Sequence, residues 1–178
     1  DSAALCYFNG SNWRAIGVSS GGSGWGLTGN AGTTAGTNFI GTTDANNFNI
    51  KTNNNLIAKF DTDYNVSLNR LTSATGYASF ATGISTSASN SASTAMGNST
   101  NASGQYSTAL GYITHASGEN STAMGEATEA IGYASTALGF YTIAKSDYSL
   151  SIGRFNDTSG ISLGDTTRLF SIGNGSIN

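Results

Sequence analysis

Gly83, Gly97, Gly111, Gly125, Gly139 and Gly153 recur at a constant step of fourteen residues. A second series keeps the same step half a period away, at Gly76, Asn90, Gly104, Gly118, Gly132 and Ser146. Such a period is too short for a pair of helices, which needs more than about thirty residues per repeat. It suits one coil of a β-solenoid, two short strands joined by two tight turns. On this reading the glycines mark the corners, because Gly and Asn tolerate the left-handed backbone that corners demand.

The columns between the glycines support the coil. Ser79, Ser93, Ser107, Ser121, Ser135 and Ser149 form one column, and Ala81, Ala95, Ala109, Ala123 and Ala137 another, closed by Ser151. Beside the alanines runs a large apolar column of Met96, Leu110, Met124, Leu138 and Ile152. The second strand has Thr86, Thr100, Thr114, Thr128 and Thr142, with Ala88, Ala102, Ala116, Ala130 and Ala144. Neighbours on a strand point to opposite faces, so Ala and Leu/Met face opposite ways. Only small side chains fit between two strands this close, which puts Ala inside and Leu/Met outside; the opposite phase is the competing arrangement. An outward apolar stripe exceeds what a soluble monomer usually exposes, and so thin a coil buries little surface alone. Cyclic association about an axis parallel to the solenoid is the expected solution in either phase.

The runs STAMG, STALG, STAMG and STALG, with ASG or AIG at the intervening half-turns, resemble the head repeats of trimeric autotransporter adhesins, the YadA-like head. The resemblance covers about residues 74–155. It implies a left-handed parallel β-roll with three chains packed side by side in a rigid rod. The expected fold class is therefore all-β: a parallel left-handed β-roll of fourteen-residue coils, homotrimeric, preceded by small antiparallel β modules.

The flanks divide further. Residues 1–18 read as a hairpin module, because Asn9-Gly10 between two aromatic-bearing runs suits a type I′ turn. Residues 19–38 are rich in Gly, Ser and Thr and read as a linker. Over 39–73 apolar and polar positions alternate, at Phe48, Ile50, Leu56, Ala58, Phe60, Val66 and Leu68. Breaks at Asn53-Asn54-Asn55 and Asp61-Thr62-Asp63 make this an antiparallel meander. The roll follows over 74–155, and 156–178 is expected to be an irregular cap and tail, since Gly164 and Gly173 fall out of phase. The segment LTGNAGTTAGTNFIGTTDANNFNIKTNN is similar to one in tail-fibre-like proteins of the Bacteroidota and their phages, and the YFNGSNW piece resembles small modules upstream in them. The chain begins without Met or a signal peptide and is expected to be a processed or excised piece.

Chemistry is scarce. One His, one Cys and ten acidic residues leave little material for a His-based triad or a His/Cys metal cluster, so no enzyme, cofactor or metal is expected. His115 shares its column with Ser87, Asn101, Glu129 and Ile143, a variable set that reads as a solvent-facing turn. Glu119, Glu126 and Glu129 cluster across two coils as a solvated acidic patch, although paired acids also serve glycosidases. Asp61-Thr62-Asp63 lacks the later Gly and Glu of a calcium loop. Cys6 reads as a small apolar residue of the first hairpin, with an interchain link as the alternative. A net charge of −3 argues against nucleic acid, and no stretch of eighteen apolar residues offers a membrane span.

The expected function is a structural fibre segment, of a tail fibre or an adhesin, placed outside the cell on a virion tail, phage-like particle or bacterial surface. Its expected partners are two further copies of itself and a surface glycan or receptor. Tyr112, Phe140 and Tyr141 are the candidate sugar-stacking residues. Two alternatives follow from other features. The Thr86–Thr142 and Thr94–Thr136 ladders would suit ice binding, and bare carboxylates on a solenoid would suit a polysaccharide-degrading tailspike.

Overall fold

The computed structural model describes residues 6–15, 31–34, 36–69, 71–156 and 170–174. They are all-β and fall in two units, Asp1–Gly41 and Thr42–Asn178. In the first, β1 (Cys6–Phe8) pairs antiparallel with β2 (Trp13–Ala15), Phe8 opposite Trp13. The connection spans four residues, so Asn9-Gly10 is not a two-residue type I′ turn. Asn9 instead folds its own side chain into the loop, its Oδ1 accepting the N–H groups of Ser11 and Asn12 at 3.0 and 2.8 Å. The side chain of Cys6 and most of the 19–38 linker lie outside the described residues.

The second unit opens with the expected meander, β3 (Phe48–Thr52), β4 (Asn55–Phe60) and β5 (Val66–Leu68). Asn53 and Asn54 both adopt positive φ, 47° and 60°, as a two-residue type I′ hairpin requires. The strand β5 then pairs in parallel with β7 (Phe80–Ile84), Ser67 aligned with Ala81. The inward side chain is therefore Ser67, buried like Ala81, while Val66 and Leu68 flank it half-buried. Meander and solenoid thus share one ten-stranded sheet.

From β7 each coil repeats one long and one short strand. The long strands are β7, β9 (Thr94–Asn98), β11 (Thr108–Tyr112), β13 (Thr122–Glu126), β15 (Thr136–Phe140) and β17 (Leu150–Arg154). The short strands β6 (Ser73–Ala74), β8 (Ser87–Ala88), β10 (Asn101–Ala102), β12 (His115–Ala116), β14 (Glu129–Ala130) and β16 (Ile143–Ala144) form a second parallel sheet. Every rung stacks on the next at a register of fourteen, as Ala109 on Ala123 and Ala116 on Ala130 show. The chain is a parallel β-solenoid. The strict period ends after 156, but β18 (Phe170–Asn174) adds one more parallel rung on β17, Gly173 beside Gly153. The step there is twenty residues, six more than the period, which is why Gly173 looks out of phase in the sequence. The rest of the expected 156–178 tail lies outside the described residues, apart from Asn156.

Inside the coils, both alanine columns are closed to solvent, with Ala81 to Ala144 at 0% exposure. The Ser79–Ser135 and Thr86–Thr142 columns lie with them. A typical coil interior is thus two alanines, a serine and a threonine. Met96, Met124 and Ile152 stand outside at 40%, 40% and 37% exposure, with Leu110 and Leu138 half-buried, which decides the phase in favour of the outward apolar column. The serine hydroxyls of Ser93, Ser107 and Ser149 donate to the turn carbonyls of Asn90, Gly104 and Ser146 at 2.6 Å. The five Thr Oγ1 atoms from Thr86 to Thr142 have no hydrogen-bond partner. An unpaired buried hydroxyl costs about 1–3 kcal/mol. Replacing Thr114 by the near-isosteric Val is therefore expected to leave the melting temperature unchanged or raise it, read by thermal unfolding.

The glycines do not carry the left-handed corners. Gly76, Gly104, Gly118 and Gly132 have φ outside that region, and the Gly83–Gly153 series, at φ +117° to +128°, sits within the long strands. The corners are instead Ala78, Ala92, Tyr106, Asn120, Ala134 and Tyr148 on one side, and Ser85, Ser99, Ile113, Ala127, Tyr141 and Phe155 on the other, all at φ near +50°. From Ala92 and Ser99 onward each of these N–H groups bonds to a carbonyl of the preceding coil, as Ile113 to Asn98 at 2.9 Å and Tyr148 to Tyr133 at 2.7 Å. Glycine is required for closeness: a Cβ on Gly118 would overlap the carbonyl of Gly132, and one on Gly111 that of Gly125. Asn90 departs from its column with a Cβ, its side-chain amide donating to Ser103 O at 3.1 Å in the next coil. Gly111→Ala is expected to destabilise the chain by more than about 2 kcal/mol, combining overlap with a strained φ. Ala127→Gly should stabilise it by about 1 kcal/mol through relief of the left-handed strain. Denaturant melts of the two variants against the parent check the opposite signs.

Asparagines end both inner polar columns. Asn65 heads the serine column, 2% exposed, its Oδ1 accepting the N–H and Oγ–H of Ser79 at 2.8 and 3.0 Å. Asn156 closes the threonine column, its carbonyl accepting the N–H of Ile143 at 3.2 Å. Asp61 secures the first cap, accepting the N–H groups of Asp63 and Asn65 at 3.1 Å each and pairing with Lys59 Nζ at 3.0 Å. Burial pushes its carboxyl pKa up, but Lys59 and the donors of Asn65 and Asp63 outweigh that and hold it below 3.8. A carboxyl lowered in the fold stabilises it above the unfolded pKa of about 3.9, and the contribution is lost as pH falls through the folded value. Acid melts should lose stability below about pH 4, and Asp61→Asn should flatten that part of the profile.

Candidate functional site

The coil presents two outer faces. Ala109 and Ala116 point inward from the long and short strands of one coil, so Leu110 and His115 point outward on opposite sides. The long-strand face carries Met96, Leu110, Met124, Leu138 and Ile152 one rung apart, about 4.8 Å each. Leu68 extends this line by register at the meander end, with Thr82 between it and Met96. Beside it stand Thr94, Thr108, Thr122 and Thr136, half-buried. The Thr86–Thr142 ladder is enclosed in the coil at 0–2% exposure, so only one of the two threonine ladders reaches a surface.

At the corner leading to the short strands, the side chains become large in the C-terminal coils. Phe140 and Tyr141 meet edge to face at 4.7 Å between ring centroids and 69°. Phe155 joins both, at 5.2 Å from Phe140 and 5.5 Å from Tyr141. The Arg154 guanidinium lies over the rings of Phe155 and Phe140 at 4.9 and 5.5 Å. Tyr112 is not in this cluster: it stands two rungs from Phe140 with Glu126 between, 47% exposed. Two tyrosine pairs mark the opposite corner, Tyr64 with Tyr77 and Tyr133 with Tyr148, each edge to face.

Next to the aromatic cluster, on the short-strand side, lies an open groove of about 260 Å³ lined by Ile113, His115, Ala127, Glu129, Tyr141 and Ile143. They come from two columns over three successive coils. His115 belongs to β12 and so stands on a strand, not on a turn; it is exposed and registers against Glu129 of β14. The three glutamates do not form one patch. Glu119 sits at the tyrosine corner, where its carbonyl accepts the N–H of Ala134, Glu126 ends β13, and Glu129 alone enters the groove. Ile113, Arg154 and Phe155 are the surface residues that sequence reasoning missed. Reading the 113–127–141–155 and 112–126–140–154 columns in full, beside the 115–129–143 column, would have brought them together.

Among the described residues no group of three His, Cys, Asp or Glu side chains could hold a metal ion, and no helix is long and apolar enough to cross a membrane. No curated protein and no solved structure matches the chain. The YadA head domain repeat matches twice, over residues 102–128 and 130–156. The matches begin 28 residues apart, so one copy is two coils. The stretch 102–156 that is similar to this repeat holds the groove, most of the apolar column and the aromatic cluster.

Proposed function

We propose that this chain is a segment of a homotrimeric fibre on a bacterial or virion surface, a rigid spacer that also contributes to attachment through glycans. The observation that carries it is the outward apolar column. A coil holding two alanines, a serine and a threonine buries little apolar surface, at roughly 25 cal/mol per Å². The Leu/Met/Ile side chains that would complete a core stand outside, at equal heights on every copy. Cyclic packing with the copies in register sets each of them against its own equivalent and closes the stripe at every rung. The YadA repeat over 102–156, a repeat of surface-exposed trimeric adhesins, supports the same arrangement and a left-handed roll.

The ice-binding alternative keeps a single threonine column beside the apolar stripe, and the tailspike alternative has its three glutamates dispersed; neither gains an observation. Light scattering at micromolar concentration should give three times the 18.1 kDa chain mass. The double variant Leu110→Asp, Leu138→Asp, which leaves the alanine interior untouched, should give a monomer. A parent chain that is monomeric at that concentration would sink the reading.

A further inference from the structure

We propose that the groove between Ile113 and Ile143 is a subsite for a neutral saccharide, with Tyr141 as its stacking wall and Glu129 and His115 as its polar contacts. This rests on the attachment reading above and names the place and chemistry of the contact. Three observations point to it.

The first is preorganisation. Tyr141 sits at a corner fixed by its N–H bond to Glu126 O at 2.9 Å, and its ring is braced by Phe140 and Phe155 while 51% exposed. A rigid aromatic surface loses little freedom on binding, which is where weak ligands otherwise lose affinity.

The second is the mixed lining. Tyr141, Ile113, Ala127 and Ile143 offer apolar surface for the C–H face of a sugar ring. His115 and Glu129, one strand apart, offer a donor or acceptor and a carboxylate for its hydroxyls. The groove spans two rung steps, about 10 Å, and its roughly 260 Å³ suits one or two rings. An apolar helix would leave Glu129 facing hydrocarbon, at a desolvation cost. A peptide strand would need a free backbone edge, but the N–H groups of His115 and Glu129 already donate to Thr128 and Thr142 of the next coil at 2.8 and 2.9 Å. Glu129 and the net charge of −3 disfavour an acidic glycan, which leaves a neutral one.

The third is position. The short strands face away from the Leu/Met column, so copies packed on that column leave the groove open to solvent.

The test is titration of the full chain with lactose, cellobiose and N,N′-diacetylchitobiose, followed by methyl NMR of Ile113 and Ile143. At least one sugar should shift both methyl groups, with a dissociation constant in the millimolar range. Tyr141→Asn, which tolerates the left-handed corner, should weaken it by about tenfold or more, and Glu129→Gln by a smaller factor, with unchanged circular dichroism. No shift at Ile113 and Ile143 with any of the three sugars, or equal binding by Tyr141→Asn, overturns the proposal. So does loss of self-association in Tyr141→Asn while the parent associates, because the groove would then be an interface between copies. Sugar binding by a chain that light scattering shows to be monomeric would uphold the subsite and count against the trimer alone.

Discussion

Everything in the solenoid depends on backbone hydrogen bonding between coils held at β-sheet spacing. Strand N–H groups bond forward to the next coil, as Thr108 to Ser121 O at 2.9 Å, while corner N–H groups bond back, as Ala127 to Tyr112 O at 2.8 Å. Reversing the donor's direction at a corner requires the left-handed conformation, and residues other than Gly accept it at about 1–2 kcal/mol each. One net hydrogen bond contributes about 0.5–1.5 kcal/mol, so each corner roughly breaks even. The stacked rungs supply the surplus. The same closeness removes the Cβ wherever one coil's backbone lies against the carbonyl of the next, which is the physical reason for two glycine columns.

The sequence period carried much of this. Coil length, the inward Ala columns and the outward Leu/Met column all follow from a fourteen-residue frame and the alternation of a strand. What the frame hid was the reason for each glycine. Gly and Asn are the residues that ordinarily permit positive φ, and a column of them reads naturally as a column of corners. Here inter-coil overlap imposes both glycine columns, with a positive φ added in the Gly83–Gly153 series, while residues as unlikely as Ile113 and Tyr141 take the corners because a hydrogen bond holds them there. At Val66 and Leu68 the alternation alone does not say which set faces inward: a coil this thin takes Ser67 inside and leaves its larger neighbours half-buried on the outer side. The last rung was hidden because a six-residue insertion breaks the spacing between Gly153 and Gly173 without breaking their pairing.

Thin coils make the ends and the outside matter more than the core. The inner polar columns finish in asparagines, and at Asn65 the side-chain oxygen takes both the N–H and the Oγ–H of Ser79. Asn65 does this with help from Asp61 and Lys59, and the antiparallel strands β3 and β4 continue the sheet beyond it. An end managed in this way presents fewer unpaired groups to a second solenoid. That end therefore offers little to a stacked copy, and the association proposed above would run through the apolar columns instead.

A regular frame also confines where specificity can arise. Between the asparagines at the ends, interior positions hold only Ala, Ser and Thr, so they are nearly identical from coil to coil and cannot distinguish one ligand from another. The outward corner positions are free to change, and they do: Ser85 and Ser99 give way to Ile113, Ala127, Tyr141 and Phe155, and Ser87 and Asn101 beside them to His115, Glu129 and Ile143. The groove forms where both columns have become large around the small Ala127, which serves as its floor. A dent of this kind needs three consecutive coils to be defined, because one coil supplies only two of its lining residues. Recognition on such a surface is therefore a property of neighbouring rungs together, and the stiffness of the ladder is what keeps them at the spacing a ligand would read.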